Sequence, residues 1–259
     1  MMIRRIAKLF GYAIAGWLPG GQRQCLLCGH AVWRFMPYRR GVRSVQPLSR
    51  LLSVIGSDVV NFACPRCWAH DRERHLLLYL RASHLLDKIK GKAVLHFAPE
   101  RHLRTVIEAA NPATYVKADL FPTSVDVRRV DMLAMPFDDQ SFDFLIANHV
   151  LEHVTDDRRA LAEIRRVLRI GGYAILQTPY SPRLTRTWQD DGIDTDDARL
   201  VAFGQEDHVR MYGRDIFERF ASAGFRSLVA RHEELLPDID AGRFGVNVLE
   251  PFFLFRRSD

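Results

Sequence analysis

Four cysteines are the residues of this 259-residue chain whose spacing most directly suggests chemistry. They form two pairs, Cys25 with Cys28 and Cys64 with Cys67, and two residues separate the thiols of each pair. A turn of that length aims both sulfurs at one ion, so two such turns complete the tetrahedral site that Zn²⁺ prefers. We predict a structural zinc site, because four thiolates leave no coordination position open for catalysis. The alternative is four unligated thiols.

The cysteine pairs also predict the surroundings of the site. Residues 21–70 would form a small zinc-ribbon-like module, in which Phe35, Val42, Val45 and Phe62 supply the strand faces of a hairpin between the pairs. The rest of the chain has no cysteine, which argues against a disulfide scaffold and favours a reducing, cytoplasmic compartment.

From residue 92 onward, short apolar segments alternate with helical patterns, which predicts an α/β domain with a parallel sheet. We expect strands at 93–97, 115–119, 127–131, 141–148 and 173–178. We also expect a helix at 156–168 that ends at Gly171 and Gly172. Ligands of such sheets bind at the carboxyl ends of the strands, where Asp119 and Asp131 lie. Asp119 follows Glu100 by 119 − 100 = 19 residues, close to the spacing at which a second-strand carboxylate reaches ribose hydroxyls.

Three runs carry a family resemblance: residues 131–143 (DMLAMPFDDQSFD), 148–154 (NHVLEHV) and 168–172 (LRIGG). Together they resemble the class I S-adenosylmethionine-dependent methyltransferases over about residues 92–225. The resemblance implies a Rossmann-like, seven-stranded methyltransferase sheet and S-adenosyl-L-methionine as cofactor.

The resemblance also implies roles for particular residues. Asp119, followed by Leu120, would hold the ribose of the cofactor, and Asp131 with Met132 would contact the adenine. Asn148 and His149 would lie beside the methionine part of the cofactor and the substrate.

The turn after the first strand departs from the family pattern, because it reads His96-Phe97-Ala98-Pro99-Glu100 where the family usually has two glycines. This turn, behind a CxxC module, is similar to that of a bacterial subgroup of these enzymes. The likeness implies that His96, Ala98 and Glu100 take part in cofactor binding, with Glu100 on the cofactor's ammonium group.

His149 and His208 are the candidate catalytic bases, since imidazole titrates near neutral pH. A hydrogen-bonded structural role is the alternative for each. His208 belongs to the run Asp207-His208-Val209-Arg210, which closes a predicted insertion at 179–210 and is expected on the substrate side. The acidic run at 190–197 within this insertion is expected to be a solvated loop.

The predicted layout has an amphipathic helix at 1–20, the module at 21–70, a connecting helix at 71–91 capped by Asp71, and the methyltransferase domain at 92–259. The first helix has a basic face, so residues 1–18 would dock on the protein itself or on an anionic membrane surface. No apolar run approaches the roughly 20 residues of a transmembrane helix.

The sequence therefore predicts methyl transfer from S-adenosylmethionine to an oxygen or nitrogen nucleophile. A small molecule or glycan precursor is the preferred substrate, because the acidic insertion would repel a phosphate backbone. The net charge of +6 leaves an RNA methyltransferase as one alternative. The glycine-free turn leaves a second, a catalytically inactive zinc-containing binding module.

Overall fold

The N-terminal part of the chain is built around the first pair of cysteines. The computed structural model describes residues 11, 12, 14 and 16–259, so most of the predicted helix at 1–20 lies outside the described residues. Strands β1 (Arg23–Gln24) and β2 (Ala31–Val32) pair antiparallel on either side of Cys25 and Cys28.

The segment between the cysteine pairs differs from the predicted hairpin. It contains a 3-10 helix (Gly41–Ser44) and helix α1 (Pro47–Leu51), and an isolated bridge joins Met36 to Ala63. Pro47 stands at the first position of α1, where its fixed φ angle and missing N–H favour a helix start over a strand. The strand faces predicted for Val42 and Val45 are therefore wrong.

The predicted connecting helix is two helices, α2 (Asp71–Ala82) and α3 (Leu85–Ile89). They are separated at His84, which has a left-handed φ of 56°. The residue that caps α2 is His70 rather than Asp71, because the backbone N–H of His70 donates to Glu73 Oε2 at 2.7 Å. Asp71 is the first residue inside the helix.

One seven-stranded sheet forms the centre of the molecule. Its strands are β3 (Ala93–Phe97), β4 (Thr114–Asp119), β5 (Arg128–Arg129), β6 (Phe142–Ala147), β7 (Leu168–Ile175), β8 (Phe225–Ser227) and β9 (Leu254–Arg257). The order across the sheet is β5-β4-β3-β6-β7-β9-β8; the neighbours from β5 to β7 are parallel, and β9 is antiparallel to β7 and β8. The chain leaves β3 toward β4 and returns to β6 on its other side, which makes the switch point where such sheets bind ligands. This topology confirms the predicted Rossmann-like α/β sheet.

Helices cover both faces of the sheet. Besides α1 to α3, they are α4 (Arg101–Ala109), α5 (Asp157–Val167), α6 (Asp196–Phe203), α7 (Ile216–Ala221), α8 (His232–Leu235) and α9 (Ala241–Phe244). Side chains alternate along β3, so Leu95 packs with α5 and α7 in one apolar cluster while Val94 packs with α2 and α4 in another. Among the residues that the structure describes, no helix has the length and apolar character needed to cross a bilayer.

The two glycines expected to end the helix before the fifth strand lie inside β7 instead. Helix α5 ends at Val167, and β7 begins at once because Leu168 already pairs with Phe142. Gly171 has a φ of 76°, and the register between β6 and β7 shifts in this region. The diglycine is thus a strand irregularity, which glycine permits at little steric cost.

Candidate active site

The turn after β3 keeps a glycine-like backbone without having a glycine. Ala98 has a φ of 46°, in the left-handed region, and its N–H donates to the carbonyl of Ala118 on β4 at 2.8 Å. For a residue with a Cβ atom this conformation costs roughly 1–2 kcal/mol. The glycine-free sequence therefore preserves the chain path that brings backbone close to a ligand at the switch point.

A buried network joins the carboxyl ends of β3 and β6. Asn148 Nδ2 donates to Glu100 Oε1 at 2.6 Å, and His96 Nε2 lies 3.3 Å from Glu100 Oε2. Burial opposes ionisation of Glu100, but the hydrogen bond and charge of His96 outweigh it and hold the pKa of Glu100 below its usual value. Each oxygen of Glu100 has one partner, so its side chain is held in place beside Asn148. Its role on the cofactor's ammonium group stays a prediction. His96 has no exposed surface and also contacts Tyr115 Oη at 2.8 Å, so it supports Glu100.

Asn148 keeps one unused group at this point. Its Oδ1 is buried and has no hydrogen-bond partner among the described residues. A buried acceptor of this kind is costly unless a donor completes it. The atom is therefore suited to an N–H donor of a bound ligand.

The two predicted carboxylates lie at the ends of neighbouring strands. Asp119 is the last residue of β4 and accepts from the N–H of Phe121, and Asp131 accepts from the N–H of Leu133 just after β5. Each bond uses one carboxylate oxygen to fix the rotamer. Leu120, beside Asp119, is 43% exposed, so it offers apolar surface next to a partly exposed carboxylate. Met132, by contrast, is buried in the core under Asp131.

His149 follows the end of β6 and is held as a cation. Its Nε2 lies 3.1 Å from Glu250 Oε1 and its Nδ1 lies 3.4 Å from Glu152 Oε1. Burial opposes the charge, but the hydrogen bonds to the two carboxylates outweigh it and raise the pKa of His149 to about 10. An imidazolium that already donates from both nitrogens cannot take a proton at neutral pH. The geometry disfavours His149 as a base.

His208 is in the opposite state. It is buried, its Nδ1 lies 3.3 Å from the carbonyl of Phe203, and its Nε2 has no hydrogen-bond partner among the described residues. Burial lowers the pKa of His208, so the ring is neutral near pH 7. The lone pair of its Nε2 is free to accept a proton or to bind a cation.

The two histidines line one cavity of about 540 Å³. Its wall combines the end of the sheet, at His149 and Pro179, with the insertion, at Phe203 and His208. The larger part of the wall comes from residues 38–72, upstream of the sheet. The upstream segment is bonded to the insertion beside the cavity, because Ile55 and Tyr180 exchange two backbone hydrogen bonds of 2.8 and 3.0 Å. The sequence predicts both histidines on the substrate side, and the structure brings them together at one cavity.

Comparison with known proteins identifies the segment that carries this sheet. Residues 90–176 match the model of a family described as methyltransferase domain. Phthiotriol/phenolphthiotriol dimycocerosates methyltransferase of Mycobacterium tuberculosis is 34% identical over 119 residues, which are 38% of this chain and 42% of that protein. Demethylmenaquinone methyltransferase of Roseiflexus castenholzii is 50% identical over 42 residues, 16% of this chain and 18% of that protein. Residues 90–176 form a methyltransferase domain.

The likeness extends over part of the molecule. The chain spans less than half the length of either relative. The solved structure of the YcgJ protein from Bacillus subtilis is 15% identical, with a TM-score of 0.46, and the match covers 71% of this chain and 99% of that one.

Upstream of the methyltransferase domain, the four cysteines lie together as predicted. Their sulfur atoms are all within 4.8 Å of one another, and Cys25 Sγ is 3.7 Å from Cys67 Sγ, so they are free thiols rather than disulfides. Hydrogen bonds from Cys25 and Cys67 lower the pKa of Cys64 to about 2, and the bond to Cys64 raises the pKa of Cys25 to about 12. The arrangement therefore favours ionisation of the thiol of Cys64 over that of Cys25.

The second pair of cysteines also contacts the methyltransferase domain, at the start of helix α4. His102, in the first turn of α4, has its Nε2 2.8 Å from the carbonyl of Cys67. The backbone N–H of His102 donates to Glu73 Oε1, and the other oxygen of Glu73 accepts from His70. The start of α4 is therefore fixed from the cysteine side of the molecule.

Three residues of this region have roles that the sequence did not predict. Glu250 and Glu152 are 2% and 1% exposed and together balance His149, yet Glu250 lies 101 residues from it along the chain. Arg210, expected on the substrate side, is buried; it donates to the carbonyls of Leu151 and Thr155 at 2.8 Å and so fixes the turn that follows β6. No local pattern signals such long-range pairing. The only sign of this role in the sequence is that Glu250 stands in a mostly apolar run near the C-terminus.

Proposed function

We propose that the chain is an S-adenosylmethionine-dependent methyltransferase that acts on an oxygen or nitrogen of a small molecule, glycan precursors included. The observation that carries the proposal is the 540 Å³ cavity at the carboxyl ends of β6 and β7, within a sheet of methyltransferase type. A cavity of this size accommodates a small-molecule acceptor, whereas an RNA substrate needs an open basic surface.

The residues at the strand ends fit the proposed cofactor. Asp119 would accept from the ribose hydroxyls, with Leu120 against the adenine and Asp131 at its edge. The unpartnered Oδ1 of Asn148 would accept from the ammonium group of the methionine part. S-adenosylmethionine supplies an activated methyl group when bound, so the protein's task is to hold the acceptor in line and to exclude water.

The proposal gives the two cavity histidines different tasks. His149, held as a cation between two carboxylates, would have a structural role in the cavity wall and would not act as a base at neutral pH. His208, neutral and with a free Nε2, is the group that can reach the proton of an acceptor hydroxyl or amine.

We also propose that the four cysteines bind a structural Zn²⁺ ion. Four thiolates at about 2.3 Å from zinc form a tetrahedron with edges of about 3.8 Å. The observed Cys25–Cys67 sulfur separation of 3.7 Å fits that edge. Free thiols in this arrangement suit a reducing, cytoplasmic compartment. Contact of residues 1–18 with an anionic membrane surface remains a prediction.

The first experiment measures binding of S-adenosylhomocysteine by calorimetry. The native protein should bind it saturably, and Asp119→Ala should weaken binding about 10- to 100-fold, since hydrogen bonds to a charged group each contribute roughly 1.5–3 kcal/mol. Asp138→Ala is the control, because Asp138 is an exposed carboxylate outside the strand ends. Absence of binding at millimolar ligand would favour an inactive zinc-containing module.

The second experiment identifies the acceptor class. The purified protein is incubated with methyl-labelled S-adenosylmethionine and a fractionated bacterial lysate. Label in the small-molecule or polysaccharide pool would support the proposal. Label in RNA, with salt-sensitive RNA binding, would contradict the substrate class and leave methyl transfer standing.

A further inference from the structure

A second cluster of potential metal ligands lies beside the cavity, separate from the cysteines. Glu152, His153 and His208 each place one potential ligand atom within 4.8 Å of the others. Glu152 and His153 come from the turn after β6, and His208 comes from the segment after α6. Glu152 and His208 are buried, at 1% and 5% exposure.

The hydrogen bonds of the two histidines orient their other nitrogens into the cluster. His208 Nδ1 lies 3.3 Å from the carbonyl of Phe203, and His153 Nδ1 lies 3.2 Å from the carbonyl of Asp207. A carbonyl oxygen only accepts, so each Nδ1 donates and each Nε2 is the ring nitrogen left for the cluster. His153 Nδ1 also lies 3.2 Å from Asp207 Oδ2. A carbonyl or carboxylate on Nδ1 with a free Nε2 is the arrangement typical of metal-binding histidines.

The three groups face one another as acceptors. Glu152 Oε2 and His208 Nε2 are buried without a hydrogen-bond partner among the described residues, and His153 Nε2 lies 4.0 Å from Glu152 Oε1. Glu152 Oε1 lies 3.4 Å from His149 Nδ1, so Oε2 is the oxygen of this carboxylate that is left without a partner. Several buried hydrogen-bond acceptors close together are energetically unfavourable unless a cation or a hydrogen-bond donor lies between them.

We propose that Glu152, His153 and His208 bind a divalent transition-metal cation. Two imidazoles and a carboxylate suit ions such as Mn²⁺, Fe²⁺, Co²⁺ and Zn²⁺. With ligand bonds of about 2.0–2.2 Å, ligand atoms lie no more than about 4.4 Å apart, so the cluster has to contract by only a few tenths of an ångström.

The proposed site goes beyond the proposed function because it needs neither the cofactor nor an acceptor to form. Three protein ligands leave coordination positions for water or for an oxygen of a bound molecule. Since His208 also lines the cavity, those positions would lie at its wall. With the cation bound, His208 is a ligand and no longer a base.

The test titrates Mn²⁺ into full-length protein whose cysteine site is already loaded with zinc, and follows free Mn²⁺ by its paramagnetic resonance signal. Mn²⁺ is chosen because it prefers nitrogen and oxygen to thiolate ligands. The native protein should bind one ion per chain, and His208→Ala and Glu152→Gln should each weaken binding at least tenfold. His84→Ala is the matched control, because His84 is an exposed histidine paired with Asp87, outside the cluster.

A further variant guards against misfolding. His153→Ala alters a ring whose side chain is 32% exposed, so it should weaken Mn²⁺ binding while the thermal melt of the metal-free protein stays close to native. The proposal would be overturned if the native protein bound neither Mn²⁺ nor Co²⁺ at this site, or if all three cluster variants bound Mn²⁺ as tightly as the native protein does. Because no cofactor is present in the titration, either outcome is independent of the S-adenosylhomocysteine result.

Discussion

Asp71→Asn should make the protein more stable at neutral pH and should remove a pH dependence that the native chain carries. Asp71 is 1% exposed; its Oδ2 accepts from the backbone N–H of Asp58, and its Oδ1 has no partner among the described residues. Burial raises the pKa of Asp71 from 3.8 to about 7, although the nearby charge of Arg74 opposes the rise. Asparagine keeps the acceptor for Asp58 and has no charge to bury.

The size of the effect follows from the two pKa values. Between pH 4 and pH 7 the folded protein keeps a proton on Asp71 that the unfolded chain has already lost. Stability therefore falls as pH rises through this window and is constant above it. Each pH unit contributes about 1.4 kcal/mol, so the full difference between 3.8 and about 7 is about 4 kcal/mol.

The assay is urea unfolding of native protein and Asp71→Asn at pH 4.5, 6, 7 and 8, with zinc in excess. The free energy of unfolding of the variant relative to native should rise by a few kcal/mol from pH 4.5 to pH 8. Asp138→Asn, at an exposed position, should show a constant difference near zero. A pH-independent difference for Asp71→Asn would refute the reasoning.

Three other predictions concern single positions. Arg74→Met should lower the free energy of unfolding by about 3 kcal/mol, because the buried guanidinium donates to several backbone carbonyls, including that of Ala69 at 2.8 Å. In the same denaturation assay, Arg81→Met, at an exposed position of the same helix, should change it by less than about 0.5 kcal/mol. Cys64→Ser, or removal of zinc by a chelator, should lower the melting temperature and speed amide hydrogen exchange in the cysteine turns; unchanged exchange would contradict a structural metal. Ala98→Gly should change the free energy of unfolding by less than about 1 kcal/mol, since relief of the left-handed strain is offset by the greater entropy of the unfolded chain. Ala98→Val should lower the free energy of unfolding by more than that. Equal values for the two variants would show that the φ of Ala98 is not strained.

The sequence predicts the sheet well where local pattern decides the structure. β3, β4 and β6 are short apolar runs bounded by polar turns, and each was predicted to within one or two residues of its observed ends. The two glycines at 171 and 172 were misplaced because a diglycine after a helical pattern usually ends a helix. Here Leu168 pairs with Phe142 on the neighbouring strand, and this tertiary contact makes β7 begin before the two glycines.

The sequence brings out candidate residues of the site but not the partners that set their charge. His149 and His208 were both placed at the substrate side, yet the charge of His149 depends on Glu250, which is distant in the chain. The segment at 38–62 was expected to be a simple hairpin, whereas it forms much of the cavity wall. Such contacts arise from packing between distant segments, and periodicity in one sequence carries no information about them.

The contact between Cys67 and His102 has a practical consequence for dissecting this protein. A truncated chain that starts at residue 92 would retain every strand of the sheet and both strand-end carboxylates. It would lose the carboxylate of Glu73 at the first turn of α4 and most of the residues that line the cavity of His149 and His208. Residues 92–259 alone would therefore be a poor substitute for the whole chain. If the cysteines bind zinc as proposed, loss of the ion from the whole chain would disturb the start of α4 without altering a residue of the sheet.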